Sequence, residues 1–485
     1  MKINLRAITL LLATAISMQL YATEKKSIII ITGKVSDAAM TLVSKAPYLT
    51  YYEDYNLENP SSKHILQLNL HDNTFQVKIQ SDSAFLYFDI AEGMIRSVTN
   101  DVFLIQKGDS IHIDIKTKDD VKFSGKGAEK LTFQNWAGHL MYSDKHQWST
   151  ADKMNDIMAY NKNRAIKYLA TIINTLNQDT AIGGIKVREL IKLNVSSSIS
   201  RQYLSSIVNP IHFPDSAYYN NVKHEVNFLV TQQIGFVVSE DFLIKNSFMY
   251  VQYLFELNKA IAKIRTRSWK SPLDIVFPNI KSEFTGVLRD KLLTYCFLDI
   301  VKTDTAGFKY LPEAIKIVKD DNSKLTLNEI KIAKEKGARS FQFDLATINN
   351  SRLKLPDLKG KVIILETYYA GCYPCRQLSI NMEPIAKYFK NRKDVVFISM
   401  DGIAKDFKTF KKGVDSKLYG YEQSIYVWTE GLGMQHPLML FYKYDSFPNL
   451  LIIGKDGNIV SANPERPFSD EDSKRNFKRL IETHL

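Results

Sequence analysis

"TYYAGCYPC" spans Thr367 to Cys375 and poses the central question of this chain. It sets Cys372 and Cys375 two residues apart in a sequence of 485 residues with only 3 cysteines. Such a pair is a redox couple, two ligands of a metal, or an accident of composition. The flanking residues help to separate these. Just upstream, "KVIILE" is a continuous apolar run of strand length, and Cys372 to about Phe389 carries a helical pattern. "VVFISM" follows as a second buried strand. "FPNLLIIGKDGNIVSA" reads as a β-hairpin with Asp456-Gly457 as its turn. The charged stretch from Ser469 to Leu485 reads as a closing helix. Strands alternating with helices imply βαβ units and a parallel element.

Dithiol chemistry needs this order of strand, short loop, and cysteine at a helix start. The free N–H groups and dipole of a helix N-terminus favour an anion. They lower the pKa of a thiol placed there, and the thiolate is the nucleophile. A Cys-x-x-Cys motif beside a βαβ pattern therefore reads as a thioredoxin-like redox site. Pro374 falls in the first helical turn, where a missing N–H costs little. Structural zinc wants four ligands, and the sequence has no second Cys-x-x-Cys. His436, in "GMQHP", is the one histidine that would complete a three-ligand copper or zinc site with Cys372 and Cys375. The preferred reading makes it a surface or groove-lining residue and assigns no metal. Cys296 lies on an apolar helical stripe with Leu292, Leu293 and Phe297, so it is expected to be a buried, inert thiol.

"LPDLKGKVIILETYYAGCYPCRQL" and "SFPNLLIIGKDGNIV" together resemble the TlpA/ResA branch of the thioredoxin superfamily, over about residues 340–485. The resemblance implies a C-terminal α/β thioredoxin-like domain at 338–485 and an exported thiol-disulfide oxidoreductase. By position, it makes Cys372 the exposed attacking thiol and Cys375 the buried resolving thiol. It implies a cis bond before Pro448, which shapes a substrate groove opposite the cysteines. Phe447 then offers its backbone to an extended peptide, and Tyr373 and Pro374 border the groove. Glu366, six residues before Cys372, stands where thioredoxin has a buried acid. A carboxylate there would exchange a proton with Cys375; the other reading is a solvated strand residue. The chain departs from the branch at several positions. Gly371 replaces a tryptophan, Tyr373-Pro374 a Gly-Pro, Leu378 an acid, and Ile380 a helix-kinking proline. These departures leave the redox potential and the proton route open.

The rest of the chain reads as two further regions, giving a multidomain protein. At about 100–200 residues per domain, this length holds two to four domains. A hydrophobic share of 45% and a charged share of 24% exclude a disordered chain. Residues 23–127 show period-2 alternation. Leu66, Leu68 and Leu70 precede "HDNT", and Phe75, Val77 and Ile79 follow it, so a hairpin is expected. Val102–Ile105 and Ile111–Ile115 flank another turn at "QKGDS". Together these predict a β-sandwich. Residues 128–337 change to helical spacing, as at Met154, Ile157, Met158, Ile166, Leu169 and Ile173. Prolines in "NPIHFPDS" and "SPLDIVFPN" are expected to break helices there. Some gram-negative envelope proteins carry a similar β-domain ahead of a thioredoxin-like one, which "FLIQKGDSIHIDI" and "VKFSGKGAEKLTFQNW" resemble.

Met1–Ala22, "MKINLRAITLLLATAISMQLYA", has a positive start, a short apolar run and a small final residue, the pattern of a signal peptide. The expected location is the periplasm. No later run approaches the roughly 20 apolar residues of a membrane span, so stable membrane insertion is not expected. The net charge of +12 is not gathered into a basic motif interleaved with aromatics. That favours a solvated basic surface over a nucleic-acid partner. No nucleotide or cofactor motif is present, so no cofactor is expected. The leading expectation is an enzyme that reduces disulfides in envelope proteins, with a membrane thiol carrier as its electron donor by the same resemblance. The alternative is a partner-binding envelope protein whose thioredoxin-like domain is subordinate or redox-silent.

Overall fold

The computed structural model describes residues 28–40, 48–53, 62–90, 95–97, 99, 102–142, 154–208, 216–231, 240–267, 273–299 and 305–485. The expected leader, 1–22, lies outside the described residues. The chain divides into two compact units, one including Ile65–His146 and Thr171–Ile191, the other including Lys192–Leu485.

The first unit holds strands β1 (Ile28–Val35), β2 (Tyr48–Tyr52), β3 (Lys63–Gln67), β4 (Thr74–Gln80), β5 (Phe85–Ile90), β6 (Phe103–Gln106), β7 (Ser110–Thr117) and β8 (Asp120–Lys126). They form two sheets, in the orders β4-β1-β7-β8 and β3-β2-β5-β6. Successive side chains on a strand point to opposite faces. That sets Ile29, Ile31, Val77 and Ile113 of one sheet in a common core with Leu86, Phe88, Phe103 and Ile105 of the other. At "HDNT" the expected tight turn forms, with His71 and Thr74 exchanging backbone hydrogen bonds around Asp72 and Asn73, both at positive φ, but the pairing stops at that one bridge and no β3–β4 hairpin follows. β3 and β4 belong to different sheets, as do β6 and β7 across Gly108. Alternation tells that a strand has one buried face; it does not tell which sheet the strand joins. Immediately before β7, the Asp109 carboxylate meets Lys130 Nζ at 2.6 Å, with both side chains almost fully buried. Lys130 belongs to the helix Ala128–Tyr142.

The second unit begins with helices, among them Ser216–Thr231, Phe248–Thr266, Leu273–Glu283, Gly286–Leu298 and Asp321–Lys334. Tyr203, Leu204, Val222, Val226, Tyr253 and Leu257 form one of its cores. Pro278 sits inside the helix Leu273–Glu283 rather than ending it. Phe277 and Ile280 beside it are fully buried. Burying each is worth about 1.5–3 kcal/mol, which outweighs the roughly 3 kcal/mol cost of an interior proline. The other proline stretch, over 209–215, lies outside the described residues.

The same unit ends in a seven-stranded sheet of β9 (Asp344–Thr347), β10 (Arg352–Lys354), β11 (Val362–Tyr368), β12 (Val395–Asp401), β13 (Ile425–Trp428), β14 (Asn449–Ile453) and β15 (Ile459–Ser461), ordered β10-β9-β13-β12-β11-β14-β15. β11, β12 and β13 run parallel, and β14 lies antiparallel to β11. β11 is buried along its whole length, as a central parallel strand must be when both faces are covered. Val362 and Ile364 pack with Leu378, Met382, Phe477 and Ile481 of the helices Tyr373–Tyr388 and Glu471–Glu482. Ile363 and Leu365 pack on the opposite face with Leu438 and Met439. β14 and β15 pair as a hairpin, with Gly457 at φ +81° in its turn.

Candidate redox site

β11 delivers the chain to a short loop, and Cys372 then caps the helix Tyr373–Tyr388. Pro374 lies in that helix's first turn, where no N–H is needed. Cys372 and Cys375 form a disulfide with their Cα atoms 5.3 Å apart. The Cys375 N–H also donates to Cys372 Sγ at 3.1 Å. Cys372 sulfur thus occupies the N-cap acceptor position, where partial positive charge from the helix gathers.

Cys372 is 2% exposed, which corrects the expectation that the attacking thiol stands open to solvent. Both cysteines pack against Tyr368 and Tyr419, with Tyr369 and Phe447 closing the cluster. The Tyr419 hydroxyl accepts the Gly371 N–H at 2.7 Å. Its ring stacks on Tyr368 with centroids 5.0 Å apart and planes within 6°. The edge of Tyr369 meets Phe447 at 5.4 Å. The shielding ring of Tyr419 comes from a position distant in sequence. Tyr373 and Pro374, between the two cysteines, are exposed.

Glu366 shares the face of β11 that carries Val362, Ile364 and Tyr368, because side chains alternate. That face is the one covered by the Cys375 helix. Glu366 is buried and accepts hydrogen bonds from Ser399 Oγ at 2.8 Å and from the Tyr421 hydroxyl. No cation pairs with it among the described residues. Burial pushes its pKa up to about 7, against the pull of the two hydroxyl donors. The span Tyr419–Tyr421 ties these parts together. Tyr419 covers the sulfurs and Tyr421 holds the carboxylate. Between them, the Gly420 N–H donates to Ser379 Oγ, which donates to the Cys375 carbonyl, each at 3.1 Å.

The Phe447–Pro448 peptide bond is cis. Pro448 is buried, and Asn449 after it donates from its backbone N–H and from Nδ2 to Thr367 Oγ1, both at 3.0 Å. These bonds pin the loop to the C-terminal end of β11. Arg466 Nη2 donates to the Pro448 carbonyl at 2.7 Å. Cys372, Cys375 and Phe447 share one apolar cluster; Pro448 follows Phe447 in the chain, and Glu366 lies two residues before Tyr368 on β11. His436 instead caps the helix Pro437–Phe441, its Nδ1 accepting the Leu438 N–H at 3.2 Å. Among the described residues, no group of three or more His, Cys, Asp or Glu side chains is placed to hold a metal. Cys296 is fully buried in its helix, and burial pushes its thiol pKa up. Sequence reasoning missed Tyr419, Tyr421, Ser399 and Arg466. The tyrosine-rich run "LYGYEQSIYVW" is the only local trace of the first two.

No protein-family model matches the chain. The thioredoxin-like protein YneN of Bacillus subtilis is 25% identical over 134 residues, which is 28% of this chain and 74% of YneN. The C-terminal third is a thioredoxin-like domain. Among solved structures, a candidate thiol-disulfide oxidoreductase of Bacteroides vulgatus is 24% identical. It covers 32% of this chain and 99% of its own, with a TM-score of 0.26. A thiol:disulfide interchange protein from Bacteroides sp. is 18% identical, over 30% of this chain and 90% of its own, with a TM-score of 0.26. Each of these similarities is confined to a thioredoxin-like domain's length. Among the described residues, no helix is long and apolar enough to cross a membrane.

Proposed function

We propose that this chain is an exported thiol-disulfide oxidoreductase that reduces disulfides in envelope proteins. One observation carries the reading. A Cys372–Cys375 disulfide caps a helix, on the face of β11 where the buried Glu366 lies. In the reduced site, Cys372 thiolate attacks one sulfur of the client disulfide, and the other client sulfur leaves as a thiolate. Cys375 then gives its proton to Glu366 and attacks Cys372 Sγ. The client departs with both sulfurs reduced, and the site is left as the disulfide. A pKa of about 7 lets Glu366 take and return that proton near neutral pH. Tyr419, Tyr369 and Phe447 must yield when Cys372 meets its client. A membrane thiol carrier returns two electrons to the site. The chemistry uses two sulfurs and a carboxylate, with no cofactor or metal.

Insulin reduction by the mature chain tests this. Cys372→Ser is expected to fall to the uncatalysed rate, and an inactive wild type beside an active thioredoxin control overturns the reading. A second reading draws on the burial of Cys372. In it the domain is redox-silent and the chain serves to bind a partner. Thiol titration of the native protein with and without dithiothreitol separates the two, since a silent site gives the same count in both.

A further inference from the structure

A cleft of about 450 Å³ opens beside the cysteine cluster. Lys259, Asp299 and Lys334 line it from the helices, and Phe447, Asn449 and Arg466 from the thioredoxin-like domain. Phe447 belongs both to this cleft and to the apolar cluster around the sulfurs. A polypeptide that leaves the disulfide along the Phe447 loop therefore enters the cleft, whose size suits a short segment.

The charges in the cleft are not equally matched. Lys259 is met by Asp299 at 2.7 Å and by Glu256 at 3.1 Å. Lys443 is met by Glu329 at 2.5 Å. Arg466 has no carboxylate partner among the described residues. It spends one N–H on the Pro448 carbonyl, and burial lowers its pKa. A guanidinium carries five donors in a planar fork, and Arg466 lines the cleft with one of them on the Pro448 carbonyl. Removing a cation from water without a counter-charge is costly. Carboxylates match the fork in shape and charge.

We infer that Arg466 binds an aspartate or glutamate side chain of the client, close in sequence to the half-cystine under attack. This rests on the proposed disulfide reduction and adds a preference to it. The helices thereby form part of the client site, with Lys259, Asp299 and Lys334 as its far wall.

The test uses the full mature chain, reduced beforehand. Two cysteine peptides, one flanked by glutamates and one by lysines, are each activated as the thiopyridyl mixed disulfide. Thiopyridone release gives the rate. Wild type is expected to prefer the acidic peptide by about tenfold, the scale of one charge-assisted hydrogen bond. Arg466→Gln should bring the ratio near one, and Arg466→Lys should keep part of the preference. Arg475→Gln removes the same charge from an exposed helix face and should keep all of it. Taking a ratio within each variant cancels any general loss of activity or fold. The inference is overturned if wild type shows no preference, or if the preference survives Arg466→Gln, while both peptides are reduced. If neither peptide nor 2,2′-dithiodipyridine is reduced, the redox reading itself falls and the inference with it.

Discussion

Asp109 in the N-terminal sandwich and Glu366 in the C-terminal sheet are both buried carboxylates at β-structure, and their company differs. Asp109 Oδ2 is held by the Lys130 ammonium at 2.6 Å and by the Gln106 N–H at 2.8 Å. Glu366 has no cation partner among the described residues; the Ser399 and Tyr421 hydroxyls and the Gly420 backbone N–H, all neutral donors, are what meet it. A paired acid fixes structure, because losing its partner strands a charge in a dry place. An unpaired buried acid moves its pKa instead and gains the freedom to exchange a proton near neutrality. The contrast distinguishes a structural carboxylate from one poised for chemistry by its counter-ion, where burial alone does not.

Lys130→Met should break the first member of the comparison most strongly. It leaves Asp109 without its cation and should cost about 3–5 kcal/mol. Urea denaturation measures this, and Lys130→Met with Asp109→Asn should recover most of the loss. A cost below about 1 kcal/mol in the single variant would place Asp109 with ordinary surface acids.

Glu366 should act in the opposite sense. Its native pKa of about 7 lies above its ordinary value of 4.5, so the folded state binds the extra proton between those values. Stability should therefore fall as pH rises from 4.5 to 7, by about 3 kcal/mol from this group. Glu366→Gln should flatten that slope in denaturation curves taken across the window. In rapid-mixing experiments the same variant should slow release of the mixed disulfide about a hundredfold, with little change in the first attack. An unaltered slope and unaltered release would make Glu366 a bystander.

The smallest effect sharpens the contrast rather than breaking it. The Tyr421 hydroxyl favours the charged form of Glu366. Tyr421→Phe should raise the midpoint of the release step's pH profile above 7, by about one unit. A midpoint that moves downward would mean that Tyr421 does not donate to this carboxylate.

The C-terminal domain was the most legible part of the sequence, for a physical reason. Continuous apolar runs such as "KVIILE", an Asp-Gly turn and a Cys-x-x-Cys at a helix start are local signals, and each specifies its own neighbourhood. The sandwich strands were legible as strands. Their sheet membership was not, because β1 pairs in parallel with β7, whose register sets Ile30 beside Ser110. Period-2 patterning carries no such long-range information. The burial of Cys372 was hidden for the same reason, since it depends on Tyr419 and Phe447. Pro278 was misread because local propensity says nothing of how firmly Phe277 and Ile280 are packed. Arg466 gives no signal at all until its missing counter-ion is seen in three dimensions.

The stack of Tyr368 on Tyr419 also has an optical consequence. Two parallel phenol rings, held against a disulfide in a fixed asymmetric setting, form a chromophore pair. Rings packed in this way contribute to near-ultraviolet circular dichroism, and rings that tumble do not. Cutting the sulfur–sulfur bond alters the electronic surroundings of both rings. Reduction by dithiothreitol should therefore change the tyrosine region of the near-ultraviolet dichroism, and Tyr419→Phe should reduce that change.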